Sequence, residues 1–360
     1  MIPGGSCSLA KVGEGGCDVS TRYHVNEKAQ GVRPGLLDLY VCQLLILNGP
    51  EADFLNLNRS CLLGGSWIAA ACASPFLGKH GHAVNPRLEK KMEFTKSVVI
   101  AVANQKGGVG KTTTAMNLAC AFAARGLKTL AIDFDPHGNL TQGLGLPIQD
   151  LLVTAKDLIM ERSISTQSAI VKTSNGVDLI GSNPLLAQAV RWMVTQTNSE
   201  LRLKQRVQEL RLHYPMIVID SCPGLGVLLN SVLNAADHLI IPVDTGFYGY
   251  MGVRELQNEI EEIRLGTNPN LNVLGVHLTM ADRTVITRET FDALVGQFGG
   301  LVFETQIRRC VSLRESPAVG QSVFQYAPKS NGAIDYTRLA DETLQRLTQP
   351  AQEIQEVAHV

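Results

Sequence analysis

Apolar residues fall in short, near-continuous runs through the middle of the chain: SVVIAVA at 97–103, TLAID at 129–133, VDLIG at 177–181, MIVID at 216–220, HLIIPV at 238–243 and LNVLGVHL at 271–278. Runs of this length, rich in Val, Ile and Leu and without polar alternation, predict strands covered on both faces. Between them the apolar spacing changes to a helical period at 111–125, 199–212, 224–235 and 249–264. Strand and helix taking turns in this way predict βαβ units, hence an α/β fold with a mostly parallel central sheet flanked by helices. A last helix over 331–347 places Ile334, Tyr336, Leu339, Ala340, Leu344 and Leu347 mostly along one face, which predicts packing on the sheet.

Residues 1–91 carry no sustained period of either kind and scatter apolar bursts among Gly, Cys and Ser. LLDLYVCQLLILN is too short to span a bilayer, and CLLGGSWIAAACASPFLG is broken by Gly, Ser and Pro. The reading is an N-terminal extension over 1–91, disordered or lying upstream of a true start at Met92, followed by one domain over 92–348 and a tail over 349–360.

Composition changes this picture little. With 360 residues and 45% hydrophobic content the chain can bury a substantial core. A formal net charge of -1 means that any grip on nucleic acid must come from a local basic patch. The eight cysteines form no C-x-x-C pair, which predicts reduced thiols rather than a disulfide framework or a zinc site.

The chemistry concentrates in ANQKGGVGKTTT at 103–114. Between a strand and a helix, Gly107, Gly108, Val109, Gly110, Lys111, Thr112 and Thr113 have the order of a phosphate-binding loop. Backbone N–H groups at the helix start, one lysine for the phosphates and a hydroxyl for Mg²⁺ are what a triphosphate requires. The usual G-x-x-x-x-G-K-[ST] spelling is broken, because Gln105 stands where the first glycine belongs and a second lysine, Lys106, follows it.

This stretch resembles the deviant Walker A loop, K-G-G-x-G-K-[ST], of the ParA/MinD family of P-loop NTPases, with closest likeness to ParA/Soj partition ATPases. The likeness covers about residues 95–347. AIDFDPHGNLTQGLG resembles the family's D-x-D-P-Q-G-N segment, with Asp133, Asp135, and His137 in place of glutamine; MIVIDSCPGLG resembles a Walker B strand ending in Asp220. The resemblance implies catalytic roles for Lys106, Lys111 and Asp135, the last orienting or activating the attacking water. It implies a metal set of Thr112, Asp220 and Asp133, although either aspartate of the D-x-D pair could instead cap a turn. Cys222 reads as a small strand-end residue. Pro328, in APKSNGA, is the expected contact to the base.

By the same resemblance the cofactors are ATP and Mg²⁺, and Lys106 would reach across an ATP-bound homodimer to the other subunit's phosphates. Such proteins bind double-stranded DNA non-specifically and hydrolyse ATP slowly, stimulated by a ParB-like partner, to partition a plasmid or chromosome origin. The expected location is cytoplasmic and nucleoid-associated, without a membrane. Arg283, Arg308, Arg309 and Arg314 are the candidate DNA contacts, with Arg254 and Arg288 behind them; the family's P-R-N-V-R-L-S-E-A-P is here RRCVSLRESP, so Ser312 stands where an arginine is usual. Alternatives are a positioner of another cytoplasmic cargo and a metabolic P-loop enzyme such as an amide-forming synthetase. A membrane positioner would need a basic amphipathic C-terminal helix, whereas RLTQPAQEIQEVAHV contains Pro350 and leans acidic.

Overall fold

The computed structural model describes residues 96–348, apart from Leu225 and residues 247–250, and the side chain of Arg254 is also outside the description. The expectations for 1–91 and for the 349–360 tail lie outside the described residues.

Seven strands form one sheet: β1 (Val98–Val102), β2 (Thr129–Phe134), β3 (Ile170–Lys172), β4 (Asp178–Ile180), β5 (Met216–Ser221), β6 (His238–Asp244) and β7 (Asn272–Thr279), in spatial order β3-β4-β2-β5-β1-β6-β7. All six predicted strands are present, and all pair in parallel. The seventh, β3, pairs antiparallel with β4 at the edge.

Helices cover both faces. In chain order they are α1 (Lys111–Ala124), α2 (Asn139–Gly143), α3 (Ala155–Met160), α4 (Leu186–Met193), α5 (Arg202–Leu210), α6 (Val227–Ala235), α7 (Met251–Leu265), α8 (Val285–Phe298), α9 (Ser312–Glu315), α10 (Val323–Tyr326) and α11 (Asn331–Thr348). Successive residues of β1 point to opposite sides, so Val99 and Ala101 join one core with α3 to α8, while Ile100 and Val102 join another with α1 and α11. Double coverage explains why the strands read as continuous apolar runs. On α11, Tyr336, Leu339, Ala340 and Leu344 are buried as expected, but Ile334 is 40% exposed, because it sits on the shoulder of the buried stripe.

The central position of β1 matters for function. Its neighbours are β5 on one side and β6 on the other, so the chain leaves β1 at a point where the sheet is built outward in both directions. Crevices at the carboxyl ends of strands beside such a point are where α/β sheets take their ligands.

Candidate functional site

The carboxyl ends of five strands supply the site. The 103–110 loop leaves β1, Asp135 follows β2, Asp220 lies near the end of β5, Asp244 closes β6 and Thr279 closes β7. Strand register aligns several of them: Asp220 pairs with Val102 on one side and with Asp133 on the other, and Asp244 pairs with Thr279.

Gly110 caps α1 in the left-handed region at φ 89, and no side chain bonds to the helix start. The first-turn amides of α1 therefore face the cleft without a capping group, which is the geometry that receives an anion. A cleft of about 350 Å³ opens there, lined by Gly107, Gly108, Gly110, Lys111, Thr112, Thr113, Asp135, His137, Asn139, Pro223 and Met280. Two long-range contacts brace the loop. The Asn104 side chain donates to the Pro242 carbonyl at 2.7 Å and accepts from the Lys106 amide at 3.0 Å, and the Thr279 hydroxyl bonds to the carbonyls of Val109 at 2.9 Å and Val243 at 3.0 Å.

The two lysines are placed differently. Lys111 is 6% exposed, and its ammonium donates to the carbonyl of Lys106 at 2.8 Å. Burial lowers its pKa from the usual lysine value, and the charges of Asp220 and Asp135 oppose that shift. Lys106 is not among the cleft-lining residues; its ammonium lies 2.8 Å from both carboxylate oxygens of Asp244.

The carboxylates also divide by environment. Asp133 is fully buried, its Oδ2 accepting from the Thr141 amide at 2.8 Å and the Thr141 hydroxyl at 2.6 Å, its Oδ1 from the Asp135 amide at 3.2 Å. These bonds tie the end of β2 to α2. The turn between them needs Gly138, at φ 64, where a Cβ would come within 2.9 Å of the Ser182 carbonyl. Asp220 is just as buried, yet neither of its oxygens has a hydrogen-bond partner. Burial, and then the neighbouring Asp133, hold its pKa well above the usual carboxylate range. Asp220 does not itself line the cleft, but Thr112, whose hydroxyl interacts with it, does; a buried carboxylate so placed suits a hard divalent cation such as Mg²⁺. Asp135, 4% exposed, accepts from the backbone amide of His137 at 2.9 Å and lies 2.7 Å from His137 Nδ1. Burial pushes the Cys222 thiol up to about 11, so it stays protonated at neutral pH and fits the structural reading.

A second cavity of about 250 Å³ adjoins the first across Gly110, Thr113 and Met280, and is closed by Thr279, Ile307, Arg308, Arg309, Cys310, Leu313, Arg314 and Tyr336. The 307–309 segment runs alongside 279–281, with a bridge between Ala281 and Arg308. Met280, which lines both cavities, adopts φ 53, a left-handed conformation uncommon for a non-glycine residue. Sequence reasoning did not single out Met280, Thr279, Asn104 or Asp244, although Asn104 lies within the ANQKGGVGKTTT stretch.

Three predicted residues lie elsewhere than expected. Pro328 is exposed and borders neither cavity, whereas Ile307, Arg308, Arg309, Cys310, Leu313 and Arg314 line the second. Arg308 is already paired, its Nε and Nη2 donating to the buried Asp335 at 2.9 and 2.6 Å, although its side chain stays 45% exposed. Asp133 is saturated by protein donors, unlike Asp220. Arg283, Arg288, Arg309 and Arg314 are exposed, with Arg309 and Arg314 on the wall of the second cavity.

Residues 97–273 match a family model described as AAA domain. The chain is 36% identical over 245 residues to the sporulation initiation inhibitor protein Soj of Bacillus subtilis, covering 68% of this chain and 97% of that protein. It is 37% identical to the chromosome-partitioning ATPase Soj of Thermus thermophilus, covering 69% and 96% respectively. Among solved structures it is similar to cobyrinic acid a,c-diamide synthase from Mycobacterium smegmatis with bound ADP and magnesium, at 30% identity and TM-score 0.62, over 70% of this chain and 96% of that one. Among the described residues, no helix is long and apolar enough to cross a membrane.

Proposed function

From the premise that this chain belongs to the ParA/Soj family of partitioning ATPases, we propose that it is an ATP-driven dimerising switch that holds DNA non-specifically and releases it on hydrolysis, with a ParB-like protein as the stimulating partner. The observation that carries this reading is the division of labour between the two lysines. Lys111 is buried and lines its own cleft, whereas Lys106 does not line that cleft and its side chain is 37% exposed. A cation outside its own cleft is placed to meet a triphosphate held by a second copy, where it would add positive charge as the transferring phosphoryl group spreads negative charge.

The phosphates of ATP sit on the uncapped start of α1, with Lys111 exchanging the Lys106 carbonyl for a phosphate oxygen. Thr112 and Asp220 would hold Mg²⁺, Asp220 because its unpartnered oxygens gain most from a cation. Mg²⁺ held there would supply positive charge to offset that of the phosphates. Asp135 orients the attacking water, with His137 fixing the carboxylate through its backbone amide. Asp133 serves as the anchor of α2 rather than as a metal ligand. The nucleoside extends past Met280 into the second cavity, so the base meets the 307–314 wall and not Pro328.

Arg309 and Arg314 lie on that wall with their side chains exposed, which couples a DNA-facing surface to the nucleotide. The test is DNA binding in ADP, ATP and a slowly hydrolysed analogue. Binding confined to triphosphate states supports the switch, and Arg309→Glu with Arg314→Glu weakens it more than about tenfold at 0.1 M salt, with nucleotide affinity and dimerisation measured alongside because both residues line the second cavity. Equal binding in every state contradicts the switch. No binding in any state favours the amide-forming reading, to which the 30% likeness to the diamide synthase lends its weight.

A further inference from the structure

Both lysines of the loop are held by protein acceptors. The Lys111 ammonium donates to the carbonyl of Lys106, and the Lys106 ammonium donates to both oxygens of Asp244, each at 2.8 Å. Nothing in the established family membership requires the second contact, and it joins positions 138 residues apart.

The surroundings make the pair a built feature rather than a chance meeting of surface charges. Asn104 ties the loop to Pro242, two residues before Asp244, and Thr279 ties Val109 to Val243, the residue next to it. The backbones carrying the two charges are therefore fixed relative to one another before the side chains meet. Gly246 leaves room above them: a Cβ there would lie 3.4 Å from both the Lys106 ammonium and an Asp244 oxygen. Side-chain exposure is 37% for Lys106 and 22% for Asp244, so the pair is shielded in part but remains open to exchange.

We propose that Asp244 is a positioning residue for Lys106: it holds the ammonium group on its own protomer until a second protomer offers a triphosphate, and its carboxylate competes with that phosphate for the same cation. Dimerisation then requires an exchange of partners at Lys106. It is assisted by nucleotide binding, because Lys111 leaves the Lys106 carbonyl when it turns to a phosphate. A half-exposed ion pair contributes modestly, so the competition is tunable rather than prohibitive. The inference rests on the proposed action of Lys106 across the dimer.

The test compares dimer dissociation constants by sedimentation velocity with a slowly hydrolysed ATP analogue and Mg²⁺, for wild type, Asp244→Asn, Lys106→Ala and the double variant. Asp244→Asn is expected to tighten the dimer about three- to fivefold, the gain vanishing in the Lys106→Ala background. Asp244→Glu is expected to restore wild-type behaviour. An unchanged constant for Asp244→Asn, while Lys106→Ala dissociates, overturns the role of Asp244 alone. Dimerisation unaffected by Lys106→Ala overturns the underlying reading instead. A gain that persists without Lys106 assigns the effect of Asp244 to some other contact and also overturns the proposal. Should Asp244→Asn fold poorly, Asp244→Ser provides the same comparison, with nucleotide binding as the check on its cleft.

Discussion

Replacing Asp220 by asparagine should make the metal-free protein more stable while removing its response to Mg²⁺. Asp220 is 0% exposed and neither oxygen has a hydrogen-bond partner. Burial raises its pKa, so the folded state binds a proton that the unfolded chain has released; stability therefore falls as pH rises above the unfolded value through the raised one. At pH 7 the penalty is bounded by the work of protonating an ordinary carboxylate, about 4 kcal/mol. The asparagine amide is itself left partly unsatisfied, at a cost of roughly 1–2 kcal/mol. The difference is a net gain of about 1–3 kcal/mol, and at roughly 2–4 °C per kcal/mol for a domain of this size the melting temperature should rise measurably. The assay is thermal unfolding at pH 7 in chelator, repeated with ADP alone and with Mg-ADP. Wild type should gain more from Mg-ADP than from ADP, and the variant should gain equally from both. A variant less stable than wild type without metal, or one that keeps the full Mg²⁺ increment, would refute the assignment of Asp220 as an unpaired metal ligand.

Other consequences follow from groups around the site. Asp335→Asn strips the carboxylate that receives four hydrogen bonds from three Arg308 donors, and because that guanidinium is itself 45% exposed the loss should be only about 1–3 kcal/mol in urea unfolding. The same variant frees Arg308, so tighter ATP-dependent DNA binding is expected in a gel shift. His277 is fully buried, with burial lowering its pKa to about 3. The unfolded chain takes up a proton below the ordinary histidine pKa while the folded one does not, so stability should fall as pH drops from about 6.5 toward 3 by roughly 4 kcal/mol. His277→Gln should flatten that acid limb in urea titrations across pH, and an unchanged limb would assign it to other groups.

Much of the architecture was legible because it is written in contiguous stretches. The strands buried on both faces leave unbroken apolar runs, and the loop, the start of α1, Asp135 and Asp220 each follow directly from one of those runs. β3 escaped notice because three residues at a sheet edge carry too little pattern, although Gly176 at φ 77 marks the turn that folds it back on β4. The wall of the second cavity was hidden for a different reason. It depends on the 307–309 segment docking beside 279–281, a pairing between distant stretches with no signature in either. The composition of RRCVSLRESP suggested a basic patch, but charge along the chain does not reveal which arginine a buried acid has already claimed, and Asp335 claims Arg308. In the same way Asp133 and Asp220 look alike as strand-end aspartates. Thr141, eight residues after Asp133, and the Asp135 amide distinguish the anchored carboxylate from the unpartnered one.

The central claim is that Lys106 acts on the nucleotide of a second protomer, and subunit mixing tests it most directly. Lys106→Ala and Asp135→Ala proteins, each inactive alone, are combined in equal amounts at concentrations high enough to drive pairing, and ATP hydrolysis is measured. In a mixed dimer the Lys106→Ala subunit keeps its own Asp135 and receives Lys106 from its neighbour, so one site is complete. Random pairing then restores up to about a quarter of wild-type activity. Mixtures that stay as inactive as their components would show that Lys106 serves its own subunit, and would contradict the account.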